Sequence, residues 1–540
     1  MHPSVRPLRS FALLLVVALL LTACGDPPQA TAPPPAASPV PVAQVEQEEE
    51  EGSAAEEEYT ETNETSYAAW LEAAHCPDGL LDDVDLDEIE VTCAYLNVPE
   101  DRSDPEGTTI QLAVAVISSR SDSARPDPII YLEGGPGGSA VLGLAAWVDS
   151  PLRDEYDLIL FDQRGTGFSL PSLNCIEMED AEDGDANYAA AQECRDRLVD
   201  DEGVNLNAYS SATNAADVAD LIAQLDYAEV NLLGISYGTR LALAVLRDNA
   251  TGVRSVILDS PYPPQVYAYN EQALNAGLAI QALLRGCAAD AECSDTFPDL
   301  EERFYALVDF LNDEPVTIEV EDPETGEVSE GEVSGDDLVD ELSGWLYDTD
   351  MIRYVPLMID ELDSGETATL TFLYELGGSG FSRQAQGEGD LSDSEAMFYA
   401  LECREEGYVS SLEQAEALAI ALPPQLANAL LASNEDFFML CAIWDVEAAT
   451  DYERSVVYSA VPTLVLAGEY DPVTPPSWGV LASAGLLNSY FYVLPGGGHA
   501  VTDASDCMMS ITKEFLDNPD QEPDASCVDD LVPDFAYELP

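Results

Sequence analysis

The sequence predicts an α/β fold: a mainly parallel β-sheet with helices on both faces and a mostly helical cap inserted between two of its strands. Three observations carry this. Short, mostly apolar runs such as 230–233 recur along the chain and end in glycine-bearing loops, as strands buried on both faces do. Segments with helical spacing alternate with them, the rhythm of a sheet built with crossover helices. From Pro264 to about Ile443 that rhythm stops and helical segments dominate.

The first strand expected is 109–118, where Ile110, Leu112, Val114 and Val116 alternate with other residues. Segments 128–132 and 156–162 are short apolar strands, each leading into a glycine loop. Segment 213–225 sets Val218, Leu221, Ile222 and Leu225 on one side of a helix. Strand 230–234 follows, then a helix over 239–246 and a strand over 254–258. Inside the insertion, helices are predicted at 270–285, 300–311 and 412–431. A hairpin is predicted to pair 316–320 with 328–333 through Asp322-Pro323-Glu324-Thr325-Gly326. Strands 462–467 and 490–494 complete the sheet. The implied plan is an export signal (1–24), a tether (25–65), the first part of the sheet domain (66–264), the cap (265–443) and the rest of the sheet domain (444–540).

Composition narrows the function. Against 104 acidic residues stand only 19 Lys and Arg, giving a net charge of −85 over 540 residues. Nucleic acid is thereby excluded as a partner, because binding it needs cations to displace counterions from phosphates. At 46% hydrophobic residues, the chain can build a large core. One long apolar run, at the N-terminus, excludes a polytopic membrane protein. Lys513 is the only lysine. The acidity is read as a solvated exterior, with a saline habitat as the alternative. With three histidines, His2, His75 and His499, a His-rich metal site is excluded, and neither metal nor cofactor is expected. The run Asp82-Asp83-Val84-Asp85-Leu86-Asp87 lacks the glycine and terminal glutamate of a calcium loop and reads as solvated.

Arg6 and Arg9 precede an apolar stretch over 11–21, the pattern of an export signal. The signal ends in Leu21-Thr22-Ala23-Cys24-Gly25, which resembles the bacterial lipoprotein lipobox. That resemblance implies cleavage before Cys24, its lipidation, and attachment to the extracytoplasmic face of a membrane. Residues 25–65 are rich in Pro, Ala and Glu without apolar periodicity and are expected to form a disordered, self-repelling tether. Setting Cys24 aside leaves ten cysteines. In an exported chain these suggest disulfides between sequence neighbours: Cys76–Cys93, Cys175–Cys194, Cys287–Cys293, Cys403–Cys441 and Cys507–Cys527.

The strongest chemical signal is Gly234-Ile235-Ser236-Tyr237-Gly238, between an apolar strand and a helix. That is the setting of a nucleophile elbow, where flanking glycines permit a turn that a Cβ would obstruct. A serine nucleophile needs a base. His2 leaves with the signal and His75 precedes the sheet, so His499 remains, in the loop after the last strand. The third member orients the imidazole. Asp471 follows strand 462–467 and gives the chain order Ser236, Asp471, His499; Glu469 and Asp259 are the rivals. Oxyanion donors are expected from the backbone of Tyr237 and from the turn Glu133-Gly134-Gly135-Pro136-Gly137-Gly138. Within that turn Gly135 is favoured, since Pro136 has no N–H.

Four motifs in order then carry a resemblance. Gly134-Gly135-Pro136-Gly137-Gly138, Asp162-Gln163-Arg164-Gly165, Gly234-Ile235-Ser236-Tyr237-Gly238 and Asp471-Pro472-Val473-Thr474-Pro475 resemble the prolyl-aminopeptidase branch of the α/β-hydrolases. The nearest likeness is to secreted tripeptidyl aminopeptidases with a TAP-like C-terminal module, over about residues 76–527. The resemblance implies a serine peptidase acting on peptides with free N-termini, with Ser236, Asp471 and His499 as triad and Gly135 as oxyanion donor. Arg164 is expected to pin the neighbouring turn by charge-assisted hydrogen bonds. Cys403-Arg404-Glu405-Glu406 resembles a cap motif of this branch, which implies Glu405 as the anchor for a substrate's α-ammonium. Glu133 stands where prolyl aminopeptidases carry His, a departure bearing on single-proline specificity.

Overall fold

The computed structural model describes residues 69–540 except 82–83, 85–88, 179–180, 182–183, 322–327, 378–390 and 392. The export signal with Cys24, the tether, most of the acidic run and the turn of the predicted hairpin lie outside the described residues.

Nine strands form one sheet: β1 (Trp70–Ala74), β2 (Val91–Pro99), β3 (Thr109–Ile117), β4 (Ile129–Leu132), β5 (Leu158–Phe161), β6 (Val230–Ile235), β7 (Val253–Asp259), then β10 (Thr463–Gly468) and β11 (Ser489–Leu494). The strands β8 (Val316–Glu321) and β9 (Val328–Val333) make a separate antiparallel hairpin. The sheet order is β1-β2-β3-β5-β4-β6-β7-β10-β11. Pairing is antiparallel from β1 to β5 and parallel from there to β11.

Strand alternation sorts side chains to two cores. Ile130 and Leu132 of β4 pack with Leu221 and Leu241 of the helices Ser211–Gln224 and Tyr237–Asp248. Ile129 and Tyr131 face the other way, toward Ile511 and Phe515 of the helix Asp506–Asp517. Every residue of β4, β5 and β10 is buried. Each buried aliphatic side chain adds about 1.5–3 kcal/mol, which is why these strands read as continuous apolar runs.

Between β7 and β10 lies the helical insertion. Its first half has its own core, with Leu283, Phe304, Leu338, Leu342 and Met358. Its later helices, Glu395–Glu402 and Pro424–Trp444, instead send Met397, Leu401, Phe437 and Trp444 into a sheet-face core.

Three expectations need correction. The helix expected over 412–431 is two helices, Leu412–Ala419 and Pro424–Trp444, because Pro423 and Pro424 have no N–H to continue the ladder. Pro424 starts the second helix, where the missing donor costs nothing. That second helix is long and apolar enough to cross a membrane by length and composition, although Leu426, Phe437, Leu440 and Trp444 are buried in the protein. Finally, β1 and β2 extend the sheet at an edge where no strand was expected.

All five disulfides form as expected: Cys76–Cys93, Cys175–Cys194, Cys287–Cys293, Cys403–Cys441 and Cys507–Cys527.

Candidate active site

Strand β6 ends in a sharp turn. Ser236 has φ 57° and ψ −125°, a conformation that L-residues rarely adopt. Such strain costs on the order of 1–3 kcal/mol and persists only where the surroundings enforce it. Packing does so here. A Cβ on Gly238 would lie 1.9 Å from the Leu132 carbonyl of β4, and one on Gly234 would lie 2.4 Å from the Gly238 carbonyl. The Ser236 N–H donates to the Asp259 carbonyl at 3.0 Å. Ser236 itself is half-buried at the start of the helix Tyr237–Asp248.

The parallel pair β10–β11 ends level, Gly468 beside Leu494, so the loops leaving both strands are neighbours. One carries Asp471 and the other His499. Asp471 Oδ2 lies 2.8 Å from His499 Nδ1. The same oxygen accepts the Thr474 hydroxyl at 2.7 Å, and Oδ1 accepts the N–H groups of Val473 and Thr474 at 2.9 and 2.8 Å. Burial pushes the Asp471 carboxyl up, but the His499 ring and the Thr474 donors outweigh it and hold its pKa below the usual carboxylate value. The Thr474 hydroxyl also sits 3.2 Å from His499 Nδ1. The other ring nitrogen, Nε2, is buried without a hydrogen-bond partner among the described residues.

The two rival acids have other tasks. Asp259 accepts the N–H groups of Val501 and Thr502 at 2.9 and 2.7 Å, and so shapes the loop just past His499. Glu469 accepts the Gly496 N–H at 2.9 Å and braces the same loop from its other end.

The glycine turn after β4 lies against Ser236: a Cβ on Gly134 would come within 3.0 Å of Ser236 Cβ. The Gly134 N–H donates to Glu133 Oε1 at 2.8 Å, so it is not a donor to the site. Gly135 is exposed at φ 103°, and its N–H has no protein acceptor among the described residues. The Tyr237 N–H opens its helix, where no carbonyl of that helix is available to it.

The neighbouring Asp162–Gly165 loop corrects one expectation. Arg164 does not pin the glycine turn. It is fully buried, makes a two-pronged 2.8 Å pair with Asp217, and donates to the Glu100 and Ala208 carbonyls. The turn is held by Gln163, whose amide donates to the Glu133 carbonyl at 3.0 Å. Asp162 also contributes, accepting from the Ser139 hydroxyl and the Val141 N–H just past the turn. Burial raises the Asp162 carboxyl to about 7.

Glu405 corrects another. It is 3% exposed, accepts the Ser211 N–H and hydroxyl at 2.9 and 3.0 Å, and lies 2.8 Å from Arg240 Nε. A carboxylate so engaged is not free to take up a substrate ammonium. It helps instead to seat the helix of Ser236, through Arg240 and through Ser211, whose hydroxyl is 3.1 Å from the Tyr237 hydroxyl.

Two insertion residues at the site carry no sequence signal. The Ser394 N–H donates to the Gly137 carbonyl at 3.0 Å, and the Tyr347 ring stacks on His499. A helix C-terminus followed by an aromatic residue is too common a pattern to mark Tyr347 beforehand.

A sheet of this order, with an elbow serine and a paired Asp–His on the adjoining loops, defines the α/β-hydrolase fold. Residues 127–316 match the α/β hydrolase fold family, and residues 429–527 match the TAP-like protein family. The chain is a serine hydrolase of that fold, and its C-terminal part is similar to TAP-like proteins. It is 25% identical over 451 residues to serine protease Hip1 of Mycobacterium tuberculosis (strain ATCC 25618 / H37Rv), covering 78% of this chain and 84% of that protein. It is 27% identical over 483 residues to carboxylesterase B of the same strain, covering 80% and 86%. To the tripeptidyl aminopeptidase of Streptomyces lividans it is 29% identical over 195 residues, 32% of this chain and 36% of that one.

Proposed function

We propose that this protein removes short peptides from free N-termini by way of an acyl-enzyme, with Ser236, His499 and Asp471 as its triad. Two observations support the reading: the 2.8 Å pair between Asp471 and His499, and the strained elbow conformation of Ser236 at the end of β6. Ser236 attacks the scissile carbonyl while His499 Nε2 takes its proton. Asp471 keeps the Nδ1 proton in place and stabilises the imidazolium. The N–H groups of Gly135 and Tyr237 receive the charge that develops on the carbonyl oxygen. His499 then returns the proton to the leaving amine, and water releases the peptide from Ser236.

Similarity to a serine protease and to a tripeptidyl aminopeptidase supports peptides as substrates. Five disulfides and the Cys24 motif support an exported protein, lipid-anchored on the extracytoplasmic face. We read residues 265–443 as the cap that limits access. Similarity to a carboxylesterase over 80% of the chain favours a second reading, an esterase.

Free-amine tripeptidyl amides, their N-acetylated forms and matched simple esters, offered to wild type and Ser236→Ala, separate the two. Preference for the free-amine amide supports the aminopeptidase. Turnover of esters alone supports the esterase. Equal activity in Ser236→Ala refutes both.

A further inference from the structure

The insertion fastens to the loop of His499 as well as to the glycine turn. The His499 N–H donates to the Tyr347 carbonyl at 2.8 Å, and the Gly498 N–H to the Thr349 hydroxyl at 3.0 Å. The approach is close enough that a Cβ on Gly498 would lie 2.5 Å from the Leu346 carbonyl. Tyr347 is thus set by backbone bonds, one residue past Leu346, the C-cap of the helix Gly335–Trp345. Its ring centroid lies 4.1 Å from that of His499, with the planes 29° apart.

His499 needs such a contact. Asp471 and Thr474 both hold it at one atom, Nδ1. A ring tethered at one edge can still rock about that edge, which swings the opposite nitrogen. Nε2 is the atom that must meet the Ser236 hydroxyl, and no hydrogen bond from the described residues holds it. A face-on aromatic neighbour removes the rocking freedom without competing for Nε2.

We propose that Tyr347 is a positioning residue, a ring supplied by the insertion that fixes the plane of His499 and keeps Nε2 aimed at Ser236. The proposal rests on the reading of Ser236, His499 and Asp471 as a triad. The Tyr347 hydroxyl also interacts with the Ser236 side chain, so the test must separate ring from hydroxyl.

The test compares wild type, Tyr347→Phe, Tyr347→Leu and Ser236→Ala. It reads kcat and KM for p-nitrophenyl acetate, the rate of fluorophosphonate labelling at Ser236, and the melting temperature. Small misplacements of a reacting group cost up to about a hundredfold in rate. Tyr347→Leu is expected to lose about tenfold or more in kcat and in labelling rate, with KM within about threefold and unchanged melting. Tyr347→Phe, which keeps the ring, restores most of that loss. Should Tyr347→Leu fail to fold, Tyr347→Met replaces it. Wild-type kcat in Tyr347→Leu overturns the proposal, and so does a Tyr347→Phe as slow as Tyr347→Leu. Absence of labelling in wild type brings down the triad reading and the proposal with it. Normal labelling in wild type with equal labelling in Tyr347→Leu brings down the proposal alone.

Discussion

Arg240 and Glu406 form an ion pair at 3.0 Å inside the protein, with neither side chain more than 2% exposed. Arg240 also pairs with Glu405 and lies 4.5 Å over the Tyr262 ring. One guanidinium therefore faces three buried carboxyls, since Glu402 joins the cluster through the Tyr262 hydroxyl, which donates to it at 3.1 Å. Burial raises Glu402 to about 8, against the partial relief that Arg240 gives.

Stability should therefore fall with pH in a defined window. An unfolded chain releases the Glu402 proton near the ordinary value of 4.5, while the folded protein keeps it to about 8. Below the lower value both states are protonated and nothing is lost. As pH rises between the two, the unfolded state is favoured progressively, by on the order of 5 kcal/mol in full. Asp162, raised to about 7, acts in the same direction. Melting of wild type and Glu402→Gln at pH 5 and pH 8 isolates the Glu402 share. The variant should melt near wild type at pH 5 and several degrees above it at pH 8. Parallel curves would show that Glu402 ionises normally.

Asp471→Asn should leave the fold intact and remove most of the activity. Asparagine can still accept from Thr474, but it offers His499 Nδ1 no negative charge and can turn an N–H toward it. The neutral ring would then hold its proton on Nε2, the wrong nitrogen for a base. Loss of kcat on the order of 10³–10⁴ is expected, with melting close to wild type. Steady-state kinetics on the amide used for wild type measures it. A loss below tenfold would move the acid's role to another carboxylate.

How legible these features were in the sequence follows from how local their causes are. The elbow at Ser236 was readable because two glycines at fixed offsets answer to close backbone approaches, Gly238 to Leu132 and Gly234 to Gly238. The meeting of Asp471 with His499 was readable because each lies in the loop after a strand, and parallel strands end on one edge. The strands β1 and β2 were not, because β1 is largely exposed along its length and β2 is apolar on no consistent face. Glu405 misled for a related reason: its sequence neighbours give no sign that Arg240, from a distant helix, lies beside it. Tyr347 and Ser394 reach the site only through tertiary contact with loops more than a hundred residues away.

Gly238→Ala should fail as a fold rather than as a catalyst. The added Cβ would sit 1.9 Å from the Leu132 carbonyl, which belongs to the central strand β4 and cannot retreat without breaking its pairing with β6. Destabilisation above about 3 kcal/mol is expected, seen as loss of soluble protein or of a cooperative melt. A stable, active Gly238→Ala would mean that the helix can slide on the sheet.

Salt should stabilise this protein. A net charge of −85, with 19 basic residues to offset 104 acidic ones, leaves most exposed carboxylates facing one another. Such repulsion is carried through water, and the screening length falls from about 10 Å at 0.1 M to about 3 Å at 1 M salt. The buried pairs Arg164–Asp217 and Arg240–Glu406 are shielded from that screening, so salt removes repulsion without weakening them. Melting temperature should rise by about 5 °C or more between 0.1 and 1 M sodium chloride. Choline chloride at equal ionic strength should give the same rise if screening is the cause. A rise in sodium chloride alone would indicate specific cation binding, and a flat response to both would show that the surface carboxylates are already far enough apart to ignore one another.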